Sequence, residues 1–174
     1  MRRVPRGFGA ATLLVLMLAS FAAQAAGIAG YWLKHGDYGN SAVIEIYASG
    51  DGFDGRIVRV QRVTFVEGDR SVEGEIVPQQ MIGTVKADVR NPDPALRGRA
   101  ILGLRIISGF RPDSATVWSG ASIYNPEDGD TYHCKATLSG DDQTLTVRGY
   151  IGVPLLGESQ TWTRLVTPDA AGWN

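Results

Sequence analysis

Nucleophilic catalysis needs a base beside a serine, threonine or cysteine, and this chain has two histidines and one cysteine with which to supply it. His133 and Cys134 are adjacent, but they stand in an alternating run. Successive residues of a strand point to opposite faces, so the two cannot act as a pair. His35 sits beside Asp37 in a glycine-flanked stretch and reads as a surface loop residue. Cys134 has no second cysteine to bridge to and reads as a buried, inert thiol. Two oxygen-rich groups, Asp88/Asn91/Asp93 and Glu127/Asp128/Asp130, lack the spacing of a calcium loop. Turn and cap chemistry accounts for them better. No catalytic residue, metal site or cofactor is therefore expected, and the chain does not read as an enzyme.

The residues between Asp88 and Arg99 are the densest in charge chemistry. Asp88, Asp93, Arg97 and Arg99 suit an ion-pair network that ties a short helix to the body of the protein. The same residues also suit a functional reading, in which Arg97 and Arg99 close a mouth over a ligand with an acidic group. Volume matters as well. Cys134, Ala136, Gly149, Ser119 and Ala121 are small residues expected to face inward, and they favour a cavity. Trp118, Tyr132 and Tyr150 either fill that space or line it. The candidate ligand-binding residues are thus Arg97, Arg99, Tyr132, Tyr150 and Trp118.

These side chains need elements to carry them, and the chain reads as strands. Tyr132, Cys134, Ala136 and Leu138 alternate with Thr131, His133, Lys135 and Thr137, as in a half-buried antiparallel strand. Thr144 to Ile151 repeats the pattern after the turn Ser139-Gly140-Asp141-Asp142, which makes the two a hairpin. Further strands are expected over Ile28–Lys34, from Ala42 to the turn Ser49-Gly50-Asp51-Gly52, and over Phe53–Gln61, Ile101–Phe110, Ala115–Tyr124 and Ser159–Val166. About eight strands at regular spacing, with 22 glycines to serve the turns, describe an all-β antiparallel meander, either barrel or sandwich. Arg62 to Ala87 is irregular and is expected to hold an extra hairpin or a flap. Asn91-Pro92-Asp93 reads as a helix start with Asn91 as cap, giving one short helix over Pro92–Leu96.

The N-terminus is not part of that fold. Arg2, Arg3 and Arg6 precede an apolar run from Ala10 to Ala23, too short for a comfortable bilayer span. The run ends in Ala23-Gln24-Ala25, the small-x-small pattern of a cleavage site. Residues 1–25 are expected to be a signal peptide, residues 26–167 the barrel domain and residues 168–174 a loose C-terminal tail. No cysteine follows the apolar run to take a lipid. Removing three arginines and no acid moves the net charge of −1 further to the acidic side. An acidic product argues against nucleic acid or anionic lipid as the main partner.

Gly30-Tyr31-Trp32 on the first strand and Arg164, in Thr161-Trp162-Thr163-Arg164 on the last, resemble the lipocalin/calycin signature. That resemblance implies an arginine covering a tryptophan where an eight-stranded barrel closes. A wider set of motifs extends it. Asp88-Val89-Arg90-Asn91-Pro92-Asp93, Ile123-Tyr124-Asn125-Pro126-Glu127-Asp128-Gly129, Thr131-Tyr132-His133-Cys134 and Arg148-Gly149-Tyr150-Ile151-Gly152 resemble a bacterial family of exported proteins of unknown function with a lipocalin-like barrel. The resemblance implies a lipocalin-like barrel closed by Trp32 and Arg164. The chain is expected to be a periplasmic or secreted protein binding a small hydrophobic or amphipathic molecule. The alternative is a non-enzymatic envelope protein that makes protein or cell-wall contacts through its barrel surface. Expression in a Gram-negative host tests the export reading: the protein is expected in the osmotic-shock fraction, beginning at or within a residue or two of Ala26. Full-length chain in the membrane pellet would contradict it.

Overall fold

The computed structural model describes residues 27–36, 39–69 and 76–173. The expected signal peptide, its cleavage site and Asp37 lie outside the described residues. Eight antiparallel strands form a closed barrel in sequence order: β1 Gly30–Lys34, β2 Ala42–Ser49, β3 Gly52–Val60, β4 Arg105–Pro112, β5 Val117–Tyr124, β6 Thr131–Leu138, β7 Thr144–Tyr150 and β8 Gly157–Leu165. The meander follows from the local signals. In β6, Cys134, Ala136 and Leu138 are buried while Thr131, His133 and Thr137 are exposed, as a period of two requires. Ser49 pairs with Gly52, which leaves Gly50 and Asp51 as a two-residue turn, with Gly50 at φ 59°.

Glycines also explain where the strands depart from expectation. The strand read from Ile101 begins only at Arg105, because Gly103 takes φ 88° and turns the chain. Leu104 N–H then donates to Ile101 O at 3.1 Å, and Leu102 is left exposed. In β5, Trp118 pairs with Ala136 and Ala121 with Cys134, so Ser119 and Gly120 together oppose Lys135. This bulge, with Gly120 at φ 74°, moves Ser119 off the inward face on which it was expected.

The helix expected over Pro92–Leu96 is a single 3₁₀ turn, Pro94–Leu96. Asp93, not Asn91, caps it, accepting from Ala95 N at 2.9 Å. Asn91 instead accepts from Asp93 N, also at 2.9 Å, and shapes the approach to the turn. Further 3₁₀ turns stand at Gln79–Met81 and Pro168–Ala171, and no α-helix occurs among the described residues. The second of these lies in the segment read as a loose tail. Arg59 of β3 pairs with Asp169 and donates to Trp173 O, which docks the segment on the barrel.

The two ends of the barrel differ. The β2–β3, β4–β5 and β6–β7 hairpins share one end with the start of β1 and the finish of β8, and side chains fill it. Trp32, Phe110, Trp118, Leu138, Leu145 and Trp162 are all buried there in one cluster. The other end carries the remaining four connections, including the long one from Gln61 to Leu104. Within that connection Thr64 and Val85 form one isolated antiparallel bridge, where the described part of the irregular segment folds back on itself.

Closure rests on Trp32. Its indole is fully buried, and its Nε1 donates to Ile28 O at 2.9 Å. The Arg164 guanidinium lies over the ring, 4.2 Å from its centroid. Arg164 also donates to Asp142 O at 2.5 Å, Gly27 O at 2.8 Å and Ala29 O at 3.1 Å. Arg164→Ala is expected to cost about 1–3 kcal/mol, from the lost cation–π contact and three underpaired carbonyls. Trp32→Ala is expected to cost about 3–5 kcal/mol. A double-mutant cycle by urea denaturation checks that the two are coupled. Coupling of zero would mean that closure does not depend on this pair.

Candidate functional site

Above the packed end, the barrel interior opens into a cavity of about 990 Å³. Aliphatic side chains of the inward strand faces line its inner part, among them Ile44, Ile57, Ile106, Ile123 and Val147, with Trp162 at the inner end. The connections at the open end, including Arg62, Asp69, Lys86 and Arg90, line its mouth. Gly149 widens it. A Cβ added there would meet Tyr132 Cβ at 3.6 Å and Ile123 Cγ2 at 3.8 Å, so a larger side chain at this position enters the cavity.

Polar groups reach the same space. Gln160 and Glu158 pair with Val147 and Gly149, in step with Trp162 opposite Leu145, so both face inward. Trp162 Nε1 donates to Gln160 Oε1 at 3.4 Å. Lys34 is two residues beyond Trp32 on β1 and also lines the cavity, with its Nζ 3.8 Å from a Glu127 carboxylate oxygen. Tyr132 donates its hydroxyl to Asp128 Oδ2 at 3.0 Å. Burial, and then the Asp128 carboxylate, push its phenol up to about 12.

Two buried carboxylates hold the long connection over the cavity. Asp69 accepts from Arg62 Nη1 at 2.8 Å and Val66 N at 3.0 Å, with Lys86 Nζ at 3.3 Å. Burial alone would raise its pKa, but the Val66 N–H and the two cations outweigh it and hold the carboxyl below its ordinary value. Lys86 also donates to Asn40 Oδ1 at 3.0 Å, which ties the connection to the β1–β2 loop. Asp88, with no exposed surface, receives Arg99 Nη2 at 2.6 Å, Asn91 Nδ2 at 2.8 Å and the Tyr124 hydroxyl. Tyr124 belongs to β5, so Asp88 fastens the connection to the barrel wall. Burial and then Asp88 push the Tyr124 phenol up to about 12. At Gly129 a Cβ would stand 2.2 Å from Arg90 O, so only glycine lets the β5–β6 loop meet the connection.

The five candidate ligand residues therefore separate. Tyr132 faces the cavity. Tyr150 also borders it, but at the lip, where it pairs with outward-facing His133 and the two rings lie 5.6 Å apart. Trp118 is buried in the packed end and does not line the cavity. Arg97 and Arg99 do not line it either. Arg99 pairs with Asp88, as the ion-pair reading of that stretch expects. Arg97 instead donates to the backbone Asn91 O at 2.7 Å and Asp93 caps the 3₁₀ turn, so neither of these two joins the expected network. Cys134 is fully buried opposite Gly149, and burial pushes its thiol up to about 12. Lys34, Glu158 and Gln160 were missed because charged and amide side chains usually mark an outward face. The phase was readable all the same, since placing Trp32 and Arg164 inward puts all three on the same side.

Residues 30–164 match the family described as an uncharacterized protein conserved in bacteria, DUF2147, and the chain belongs to it. No curated protein matches the chain. Among solved structures it is similar to protein HP1028 from the human pathogen Helicobacter pylori, described as belonging to the lipocalin family. The two are 21% identical over 83% of this chain and 87% of that one, with a TM-score of 0.63. The likeness is one of fold.

The six tyrosines of the chain offer a check on the two mouth networks. Tyr124 and Tyr132 are expected to ionise only near pH 12, and spectrophotometric titration of Tyr124→Phe and Tyr132→Phe should each remove one late phenol. The linkage has a definite sign. The folded pKa values are raised, so their contribution to stability is complete below about pH 10 and is lost as pH rises toward about 12. Urea midpoints measured across that window should fall less steeply in either variant than in wild type.

Proposed function

We propose that this DUF2147 barrel is an exported protein of the periplasm or extracellular space that holds one small, largely apolar molecule in its interior. The observation that carries the reading is the cavity of about 990 Å³ that runs from aliphatic strand faces inside the closed barrel to the polar connections at its mouth. Ligand sites are commonly about 300–1,000 Å³ in volume, mostly apolar, with a few convergent polar groups. A filled interior would have left only the outer surface for function, and the space above Trp162 favours the interior. Apolar contact contributes most of the affinity, at about 25 cal/mol per Å² buried. Lys34, Gln160, Glu158 and the Tyr132–Asp128 pair meet the polar end of the ligand and orient it. The signal peptide read in residues 1–25 supports the location.

Native mass spectrometry of protein purified from its own host should find a copurified small molecule. In vitro, a medium-chain fatty acid and its matching alcohol are expected to bind at sub-millimolar concentration and to change Trp162 fluorescence. Gly149→Trp places a side chain between Tyr132 and Ile123 and should abolish both responses while the fold persists. Arg97→Gln/Arg99→Gln should lower stability by about 1–3 kcal/mol, through loss of the donors to Asn91 and Asp88, and leave the preference between acid and alcohol unchanged. If neither compound binds the wild-type barrel, the ligand class is wrong.

A further inference from the structure

The connection between β7 and β8 has an unusual composition for a loop in water. Ile151-Gly152-Val153-Pro154-Leu155-Leu156 contains no charged and no hydrogen-bonding side chain. Its aliphatic side chains are not folded inward: Ile151 is 70%, Val153 54%, Leu155 86% and Leu156 72% exposed. Scattered exposed aliphatics are ordinary, but four within six residues form a patch that needs a partner.

The loop is also held in shape. Arg148, on β7, donates to Pro154 O at 2.5 Å and Leu155 O at 3.1 Å, and to Ser159 Oγ at 2.9 Å. Leu156 N–H donates to Val153 O at 3.0 Å. At its base a Cβ on Gly157 would stand 2.3 Å from Gly149 O, so the hairpin is tightly drawn. Carbonyls that would be costly to carry into an apolar phase are thereby occupied from within, and the side chains are turned away from them. The position of the loop matters equally. Ile151 and Leu156 line the cavity as well as solvent, and so do exposed Ile76 and Val89 of the long connection. The apolar surface of the cavity thus runs out over its lip without a polar break at this loop.

We propose that the β7–β8 loop inserts into the apolar layer of a lipid bilayer and docks the cavity mouth on the membrane, so that the ligand moves between bilayer and barrel without crossing water. The proposal rests on the ligand-binding reading for its purpose. The occupant is a bilayer because the patch is a protruding, uncharged tip continuous with an apolar cavity, and it presents no polar groups for a protein rim to match. The arginine at its base stays at the depth of the head groups, as a charged side chain must. The acidic balance of the chain makes attraction to anionic lipid a minor contribution, so docking is by apolar insertion and insensitive to salt.

Co-sedimentation of the processed protein with phosphatidylcholine vesicles, at low and high salt, tests this. The wild type is expected to sediment with the vesicles equally at both. Val153→Asp/Leu155→Asp changes two side chains that do not line the cavity, and it should weaken vesicle partitioning by at least about 100-fold. The thermal midpoint should be unchanged, and decanoate binding, followed by tryptophan fluorescence, should be retained. Failure of the wild type to sediment would overturn the proposal. So would equal sedimentation of the variant, or loss of binding in high salt. If the wild type instead self-associates in a way the same variant abolishes, without binding vesicles, the loop is a protein contact and the proposal is wrong. Loop-dependent docking without decanoate binding would leave the docking standing and discard the ligand class.

Discussion

The whole barrel depends on the seam between its first and last strands. The pairing of β1 with β8 runs only from Tyr31 to Leu33, whereas β7 and β8 pair from Thr144 to Tyr150. A seam that short has few ladder hydrogen bonds of its own, and the Arg164–Trp32 contact reinforces it. The guanidinium covers the indole and reaches carbonyls on both sides of the junction, at Gly27, Ala29 and Asp142. Gly30 suits the approach, since its φ of 135° is one that other residues rarely adopt and a Cβ there would stand 3.0 Å from Arg164 Nη1. The glycine two residues before the tryptophan thus has a steric cause. With the seam closed at one end, the indole, Phe110, Trp118 and Leu145 pack beneath it, and that end has no room for a ligand.

Filling one end determines what the other can be. The strands are long enough that a core packed around Trp32 and Trp162 does not reach their far ends, and the small side chains at Ala121, Cys134, Ala136 and Gly149 do not extend it. The described part of the long connection then lies at the open end, where Asp69, Lys86 and Val89 border the cavity. Its own core would be poor, so it is fastened by ions instead: Asp69 between Arg62 and Lys86, and Asp88 between Arg99, Asn91 and Tyr124. Buried carboxylates are costly unless fully partnered, and each of these has at least three donors. Such networks hold a cover in one geometry, and Asp69, Arg62 and Lys86 themselves border the mouth of the cavity.

The cavity and the apolar lip form one surface. Ile151 and Leu156 belong to both, and Arg148 shapes the loop that carries them. Polar groups meet this surface from the strands, at Lys34, Tyr132, Glu158 and Gln160, from the β5–β6 loop, and from the long connection at Arg62, Asp69, Lys86 and Arg90. Of the arginines of the covering connection, Arg62 and Arg90 line the cavity, whereas Arg97 and Arg99 lie off it and donate to Asn91 O and Asp88. Strands and cover share the cavity: the strands line its inner part, and the ion-held connection lines its mouth.

The sequence alone was enough for strand identity, the meander and the pairing of Trp32 with Arg164. The first two are local, since alternation has a period of two and turn residues announce themselves, whereas the third joins opposite ends of the chain and was implied by the lipocalin/calycin resemblance. Thr131–Leu138 shows this best, since its burial follows its residue types position by position. Left-handed glycines at Gly103 and Gly120 were the first point of failure, because a glycine in a strand pattern does not reveal whether it bends the chain. The roles of Arg97, Arg99 and Trp118 were the second. Whether a charge pairs with Asp88 or faces a ligand depends on a carboxylate eleven residues away, and whether a tryptophan lines a cavity or fills a core depends on which end of the barrel it occupies. Only the tertiary structure decides such questions, since they are settled by contacts between segments distant in the chain, and an open interior belongs to no single residue.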